Sequence, residues 1–186
     1  MVRDSAASGD WRRVAVVGCS GSGKSTLSER LAGRLGCEHV RLDDLAFGPN
    51  WELRPAAELR RDVERIVAGE RWLLDGNYRH LRDLVWRRAT TLVWLDMPLS
   101  TCFRRVLLRT IFRSVTRQNV CGNNRETLYN AFATRDSILR WVVTSHAGVR
   151  STVGEDLADP AYAHLSSRRL TSGRQADRLL SELDAP

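Results

Sequence analysis

The sequence predicts an α/β fold, with a parallel sheet covered by helices on both faces. Two observations carry that prediction. Short apolar, β-branched runs alternate along the chain with apolar stripes of helical period. The first such run leads into a glycine-rich stretch, GCSGSGKST at residues 18–26, and a helical stripe follows it.

Taken in order, residues 1–11 are polar and read as a loose tail, and residues 12–186 as one domain. RRVAVVG (12–18) is a buried strand. Leu27, Leu31 and Leu35 then repeat at helical spacing until Gly36 stops them. CEHVRLDDL (37–45) reads as a second strand ending in two aspartates. FGPNWELRP is a loop, and Pro55 opens a helix with Leu59, Val63, Ile66 and Val67 inward. RWLLDGN (71–77) is a third strand running into a turn. A short helix through Leu81, Leu84 and Val85 precedes the fourth strand, TTLVWLDMP (90–98).

Pro98 opens a helix with Phe103, Val106, Leu107 and Ile111 inward. Residues 113–126 break the pattern with Gly122, Asn123 and Asn124, and form a candidate lid. Asn123 with Glu126 reads as a capping box for a further helix, striped by Ile138, Trp141, Val142 and Val149. Residues 150–162 read as irregular, and HLSSRRL (164–170) as a fifth strand. Ser172 with Gln175 caps the last helix, which turns Ala176, Leu179, Leu180 and Leu183 inward.

A chain of 186 residues buries roughly 70% of its unfolded surface, so no disulfide or metal is needed to hold a core. The four cysteines show neither metal-ligand nor CxxC spacing, and read as reduced thiols. The polar N-terminus lacks a signal peptide's apolar run, and no stretch approaches membrane-spanning length. A cytoplasmic protein without a membrane partner is expected.

The net charge is +7, and 28 of the 29 basic residues are arginine. They are spread along several helices, with no basic tail and no interleaved aromatics. Anionic small ligands and a solvated surface account for this at least as well as nucleic acid, which is not expected as a partner. The one lysine, Lys24, lies inside the glycine-rich stretch.

Gly18, Gly23, Lys24 and Ser25 match G-x-x-x-x-G-K-[ST]. By chance the pattern arises in on the order of one chain in a hundred of this length; here the strand before it and the helix after it are also in place. Its glycines let the backbone curl, so that N–H groups from Gly18 through Ser20, Gly21, Ser22, Gly23, Lys24, Ser25 and Thr26 surround phosphate oxygens. The helix N-terminus adds positive potential, Lys24 reaches the β- and γ-phosphates, and the Ser25 hydroxyl can ligate Mg²⁺.

Such a site needs a carboxylate for Mg²⁺. Asp75 and Asp96 both end apolar runs. The polar turn after Asp75 favours it for the metal, while Pro98 after Asp96 fits a structural helix cap. Asp43 or Asp44 can orient an acceptor hydroxyl or take its proton; adjacent strand residues face opposite ways, so one of them enters the cleft. Arg105, Arg109 and Arg113 fall on one helix face, where like charges repel unless something anionic offsets them. Arg79, Arg117 and Arg125 can clamp phosphates. Trp51 suits either an acceptor ring or the core edge.

GCSGSGKSTL, LDDL before GPNW, WLLDGNYR, LVWLDMP with CFRRVLLR, and GNNRETL together resemble the nucleoside monophosphate kinase-like branch of P-loop proteins. Within it they resemble the small adenylate-kinase-related group known as DNA topology modulation proteins, across residues 13–183. The resemblance implies a five-stranded sheet in the P-loop kinase order 2-3-1-4-5, a short lid, ATP and Mg²⁺. It implies Asp75 as the metal-shell acid, Arg79 on an acceptor phosphate, Arg105 or Arg109 on the transferring phosphate, and the base near Thr171–Gly173. The chain departs from adenylate kinases in having GKST and Tyr78, with no zinc cysteines in its lid.

The expected function is transfer of the γ-phosphoryl group of ATP to a small-molecule acceptor, with a hydroxyl slightly ahead of a nucleoside monophosphate. The alternative is a nucleotide-binding regulatory protein or NTPase that acts through a partner.

Overall fold

The structure, a computed structural model, describes residues 9–116, 119–120, 124–125 and 137–184. Its main sheet is built from β1 (Arg13–Gly18), β2 (His39–Arg41), β3 (Trp72–Asp75), β4 (Thr91–Leu95) and β7 (Ser166–Leu170). The order is β2-β3-β1-β4-β7, with every pairing parallel. This is the expected order 2-3-1-4-5. Helices α1 (Lys24–Leu35), α2 (Leu42–Ala46), α3 (Ala56–Val67), α4 (Arg82–Arg88), α5 (Leu99–Thr116), α6 (Ile138–Ala158) and α7 (Gly173–Asp184) make the connections.

The central strands are apolar on both faces because both are covered. On one face Val14, Val16, Leu73, Val93 and Leu95 pack with Leu27 and Leu31 of α1, Val106 of α5, Val142 of α6 and Leu179 and Leu180 of α7. On the other, Ala15, Val17, Leu74, Leu92 and Trp94 pack with Leu59 and Val63 of α3, Trp86 of α4 and Val153 of α6. Gly36 ends α1 in a left-handed conformation, φ 61°, with its N–H on the Ala32 carbonyl.

Parallel register brings the carboxyl ends of the strands together. Gly18 lies beside Leu95, Leu95 beside Leu170, and Asp75 beside Val16. Ligands bind beyond such edges in this class of fold.

Four local expectations are corrected. The second strand stops at Arg41, and Asp43 and Asp44 lie in the first turn of α2. Leu42 and Ala46, four apart, bury one helical face, and two carboxylates suit a helix start. Helix α5 continues through Arg113 to Thr116, so the break begins later than the sequence pattern implied. Residues 150–158 are helical, because Val149, Val153 and Leu157 extend the stripe of α6. Ile111 and Trp141 face outward at 40% and 59% exposure; α5 instead buries Cys102, Val106 and Thr110.

Within the candidate lid, β5 (Asn119–Val120) and β6 (Asn124–Arg125) pair antiparallel. Arg117, Cys121, Gly122, Asn123 and Glu126, and with them the proposed capping box, lie outside the described residues, as does the side chain of Arg125.

Candidate active site

Residues 18–26 form a tight loop between β1 and α1. Gly23, at φ 100°, stands at the N-cap of α1, and no side chain caps the helix. No acidic residue occupies its first turn. The first N–H groups of a helix have no partners within it, so these remain available to an anion. Gly21 adopts φ 79°, and a Cβ there would stand 2.4 Å from the Cys102 carbonyl oxygen. The loop therefore rests directly on α5, and only glycine fits.

Three side chains hold the loop's shape. The Lys24 ammonium donates to the carbonyls of Gly18 at 2.8 Å and Cys19 at 3.2 Å. Asn77, just beyond β3, donates its amide to the same Gly18 carbonyl at 2.9 Å and faces the Gly18 N–H with its oxygen at 3.4 Å. Arg105 of α5 donates to the Ser22 carbonyl at 2.8 Å. Its guanidinium also approaches Gly173, the first residue of α7; a Cβ there would lie 3.9 Å from Nη2. Ser22 itself is buried and turns its hydroxyl away from solvent, so it offers the cradle only backbone. Ser20 is half-buried, and Ser25 and Thr26 are exposed at the start of α1.

The acids separate clearly. Asp75 ends β3 next to β1, and its side chain is 4% exposed. Its Oδ2 meets Nε2 of His39 at 3.2 Å. Asp96, one residue beyond β4, accepts from Arg169 and forms an ion pair with Arg150 at 3.2 Å. The Arg169 guanidinium also lies 4.6 Å from the Trp94 ring centroid. Asp96 thus anchors two arginines rather than capping α5.

On α2, Asp44 is gripped by Arg41 through two 2.6 Å contacts. Asp43 instead accepts from the Tyr78 hydroxyl at 2.9 Å, which draws it toward the turn after Asp75. Arg79 is exposed in that turn and pairs with no carboxylate among the described residues. Arg109 is half-buried one turn beyond Arg105. Trp51 packs edge-on against Phe47, centroids 5.7 Å apart, at the core margin. Near the final strand, Ser172 caps α7 through the Gln175 N–H at 3.3 Å, and the Gln175 side chain accepts from the Thr171 N–H at 2.6 Å.

Lys24, Arg105, Asp75 and the loop glycines therefore gather at one edge, with Asp43 and Arg79 joined to it through the turn after β3. Asn77, His39, Arg150 and Arg169 went unflagged in the sequence. Only Asn77 carried a local signal, its place in the Asp-Gly-Asn turn.

The model of the AAA domain family matches residues 14–126, a span that contains the loop together with Asp43, Asp44, Asp75, Asp96, Arg79, Arg105 and Arg109. The chain belongs to the AAA domain family. Among curated proteins it is 37% identical over 82 residues to the "Putative adenylate kinase" of Pyrococcus furiosus. That match covers 39% of this chain and 45% of that protein, so the chain spans less than half the length of the curated relative it matches. Among solved structures, this AAA domain protein resembles shikimate kinase from Acinetobacter baumannii, with a TM-score of 0.54 and 14% identity over 94% of this chain and 91% of that one. It also resembles a gluconokinase from Sinorhizobium meliloti 1021, with a TM-score of 0.51 and 17% identity over 93% of each chain. At such identities the likeness is one of fold, that of P-loop kinases. No helix among the described residues is long and apolar enough to cross a membrane.

Proposed function

We propose that the protein is an ATP- and Mg²⁺-dependent phosphotransferase that moves the γ-phosphoryl group to a small-molecule hydroxyl. The observation that carries this reading is the cross-braced loop. Lys24 and Asn77 hold its first carbonyl, Arg105 holds its last turn, and the uncapped start of α1 faces outward. A loop held in this shape before substrate arrives presents its N–H groups to phosphate with little reorganisation.

On ATP binding, Lys24 exchanges its loop carbonyls for phosphate oxygens, and Arg105 and Arg109 stand on the α5 side to offset charge on the transferring group. The Ser25 hydroxyl and the Asp75 carboxylate are hard oxygen donors on adjacent elements, a set that suits Mg²⁺. Asp75 Oδ1 takes no hydrogen bond among the described residues, which leaves it for a metal-bound water. Bound Mg²⁺ would neutralise the developing charge. Asp44 is committed to Arg41, so Asp43 is the carboxylate to orient an acceptor hydroxyl and receive its proton.

A second reading, a nucleoside monophosphate acceptor, has one observation in its favour: Arg79 is exposed beside Tyr78 with no carboxylate partner among the described residues. The name of the curated relative points the same way.

The test is ADP release with Mg²⁺-ATP against pooled sugars, other small alcohols, nucleosides and nucleoside monophosphates, with Lys24→Ala in parallel. Acceptor-dependent release that the variant lacks is expected, and the active pool identifies a hydroxyl or a phosphate acceptor. Near-normal turnover by Lys24→Ala would overturn the site. ATP binding without acceptor-stimulated turnover would favour a nucleotide-responsive regulator or a plain NTPase. A salt-dependent affinity for DNA or RNA would then identify the partner class.

A further inference from the structure

Asp75 is a buried carboxylate with one side-chain partner among the described residues, the His39 ring, 3.2 Å away. The pairing of β2 with β3 brings the two together. His39 lies beside Leu73 in register, and Asp75 stands two residues further along β3, on the same face of the sheet. Diagonal neighbours of this kind are within reach of a ring. The ring is 15% exposed and the carboxylate 4%, on the face where Leu73 packs with Leu27 and Leu31 of α1.

The cation best placed to pair with Asp75 is a different residue. Arg41 is its register partner across the same strand pair. Its guanidinium is turned instead to Asp44, through two 2.6 Å contacts. Asp96 supplies the contrast, since Arg169 and Arg150 both hold it. A guanidinium against a carboxylate offsets the charge that attracts a metal cation. A neutral imidazole donating from one nitrogen fixes one oxygen and leaves the negative charge in place. This chain has 28 arginines and four histidines, yet a histidine stands at this carboxylate.

We propose that His39 is a positioning residue for the Mg²⁺ site. Its Nε2–H holds Asp75 Oδ2, leaves Oδ1 for the metal's hydration shell, and keeps the carboxylate from swinging to Arg41. The proposal rests on Asp75 being the metal-shell acid of the phosphotransferase reading. The terminal torsion of an aspartate is broad, so without His39 the two oxygens would spread over many orientations, some of them toward Arg41. The role also fixes the ring's tautomer. An ionised carboxylate only accepts, so Nε2 carries the proton and Nδ1 does not.

The experiment titrates the full chain with a fluorescent ADP analogue over a Mg²⁺ series and in EDTA. His39→Leu should raise the Mg²⁺ midpoint by about tenfold to a hundredfold and leave the affinity in EDTA unchanged. His39→Gln, whose side-chain amide can donate from a similar position, should recover most of the loss. Added to Asp75→Asn, His39→Leu should raise the midpoint no further, because the carboxylate it positions is gone. An unchanged midpoint in His39→Leu, with Asp75→Asn raising it, would overturn the proposal and leave Asp75 as the metal acid. Equal losses in His39→Leu and His39→Gln would reduce His39 to packing and overturn it too. No effect of Asp75→Asn on the midpoint would sink the metal reading, and the proposal with it. A measurement on the unsubstituted chain stands apart from any folding defect. The ring nitrogens of His39, assigned by the signal that His39→Gln removes, should show the Nε2–H tautomer at about pH 8, where an ordinary imidazole is neutral. The Nδ1–H tautomer would overturn the proposal.

Discussion

Replacing Gly21 by alanine tests whether the loop is pressed against α5. A Cβ at Gly21 would lie 2.4 Å from the Cys102 carbonyl oxygen and 2.7 Å from Cγ2 of Val106. Both atoms belong to a helix packed in the core, so neither can step aside cheaply. Two penalties combine. An L-residue at positive φ costs about 1–2 kcal/mol, and overpacking costs about 1–3 kcal/mol. Gly36 supplies the control, since it too has positive φ, 61°, but nothing lies within 4 Å of its added Cβ. Gly36→Ala should therefore lose about 1–2 kcal/mol, and Gly21→Ala about 2–5 kcal/mol. For a chain of this size each kcal/mol lowers Tm by about 2–4 °C. Urea denaturation and thermal melts read the stability, and titration with an ADP analogue reads the loop. Nucleotide affinity should fall in Gly21→Ala and hold in Gly36→Ala. Equal destabilisation of the two, with normal nucleotide binding by Gly21→Ala, would refute the close contact.

Three further outcomes are expected. Asp156→Ala should destabilise the fold by about 3–4 kcal/mol in urea denaturation. It removes the carboxylate partner of Arg82, whose side chain is 7% exposed beneath α6, leaving the guanidinium the Thr152 carbonyl at 3.3 Å and the Trp86 ring, 5.2 Å to the centroid. A loss below about 1 kcal/mol would place the pair among ordinary surface bridges. Asp75→Asn should raise the Mg²⁺ concentration needed for nucleotide binding, while Asp96→Asn should lower stability and leave that requirement alone, because Arg150 and Arg169 occupy Asp96. The reverse pattern would exchange their roles. Finally, the alkylation rate of Cys19 by iodoacetamide should level off above about pH 7, since the neighbouring Cys102, His146 and Lys24 hold its thiol down to about 6 and it is mostly thiolate there. Burial raises Cys37, so its rate should keep climbing through pH 9. Parallel profiles for the two would contradict the lowering of Cys19.

Legibility differed by element for physical reasons. The strands of the sheet could be read because central parallel strands must be apolar on both faces. The loop could be read because its glycine spacing serves one backbone shape. The end of the second strand was misread, since Asp43 and Asp44 look like a strand edge until Leu42 and Ala46 are seen to bury together. The later part of α6 was missed because Gly148, Gly154 and the surrounding polar residues mask a stripe that only the core contact of Val153 reveals.

By itself, the sequence determined the class of fold, the phosphate loop with its single lysine, and a short set of candidate acids and arginines. All of these are written in local spacing, and local spacing reflects backbone geometry within a few residues. Only the tertiary structure decided which candidates share a site. Asp75 stands beside β1 because β3 pairs there in parallel, Asn77 reaches Gly18 across 59 positions, and Arg105 reaches Ser22 across 83. Parallel pairing and helical crossovers set these meetings, and they leave no periodic trace along the chain.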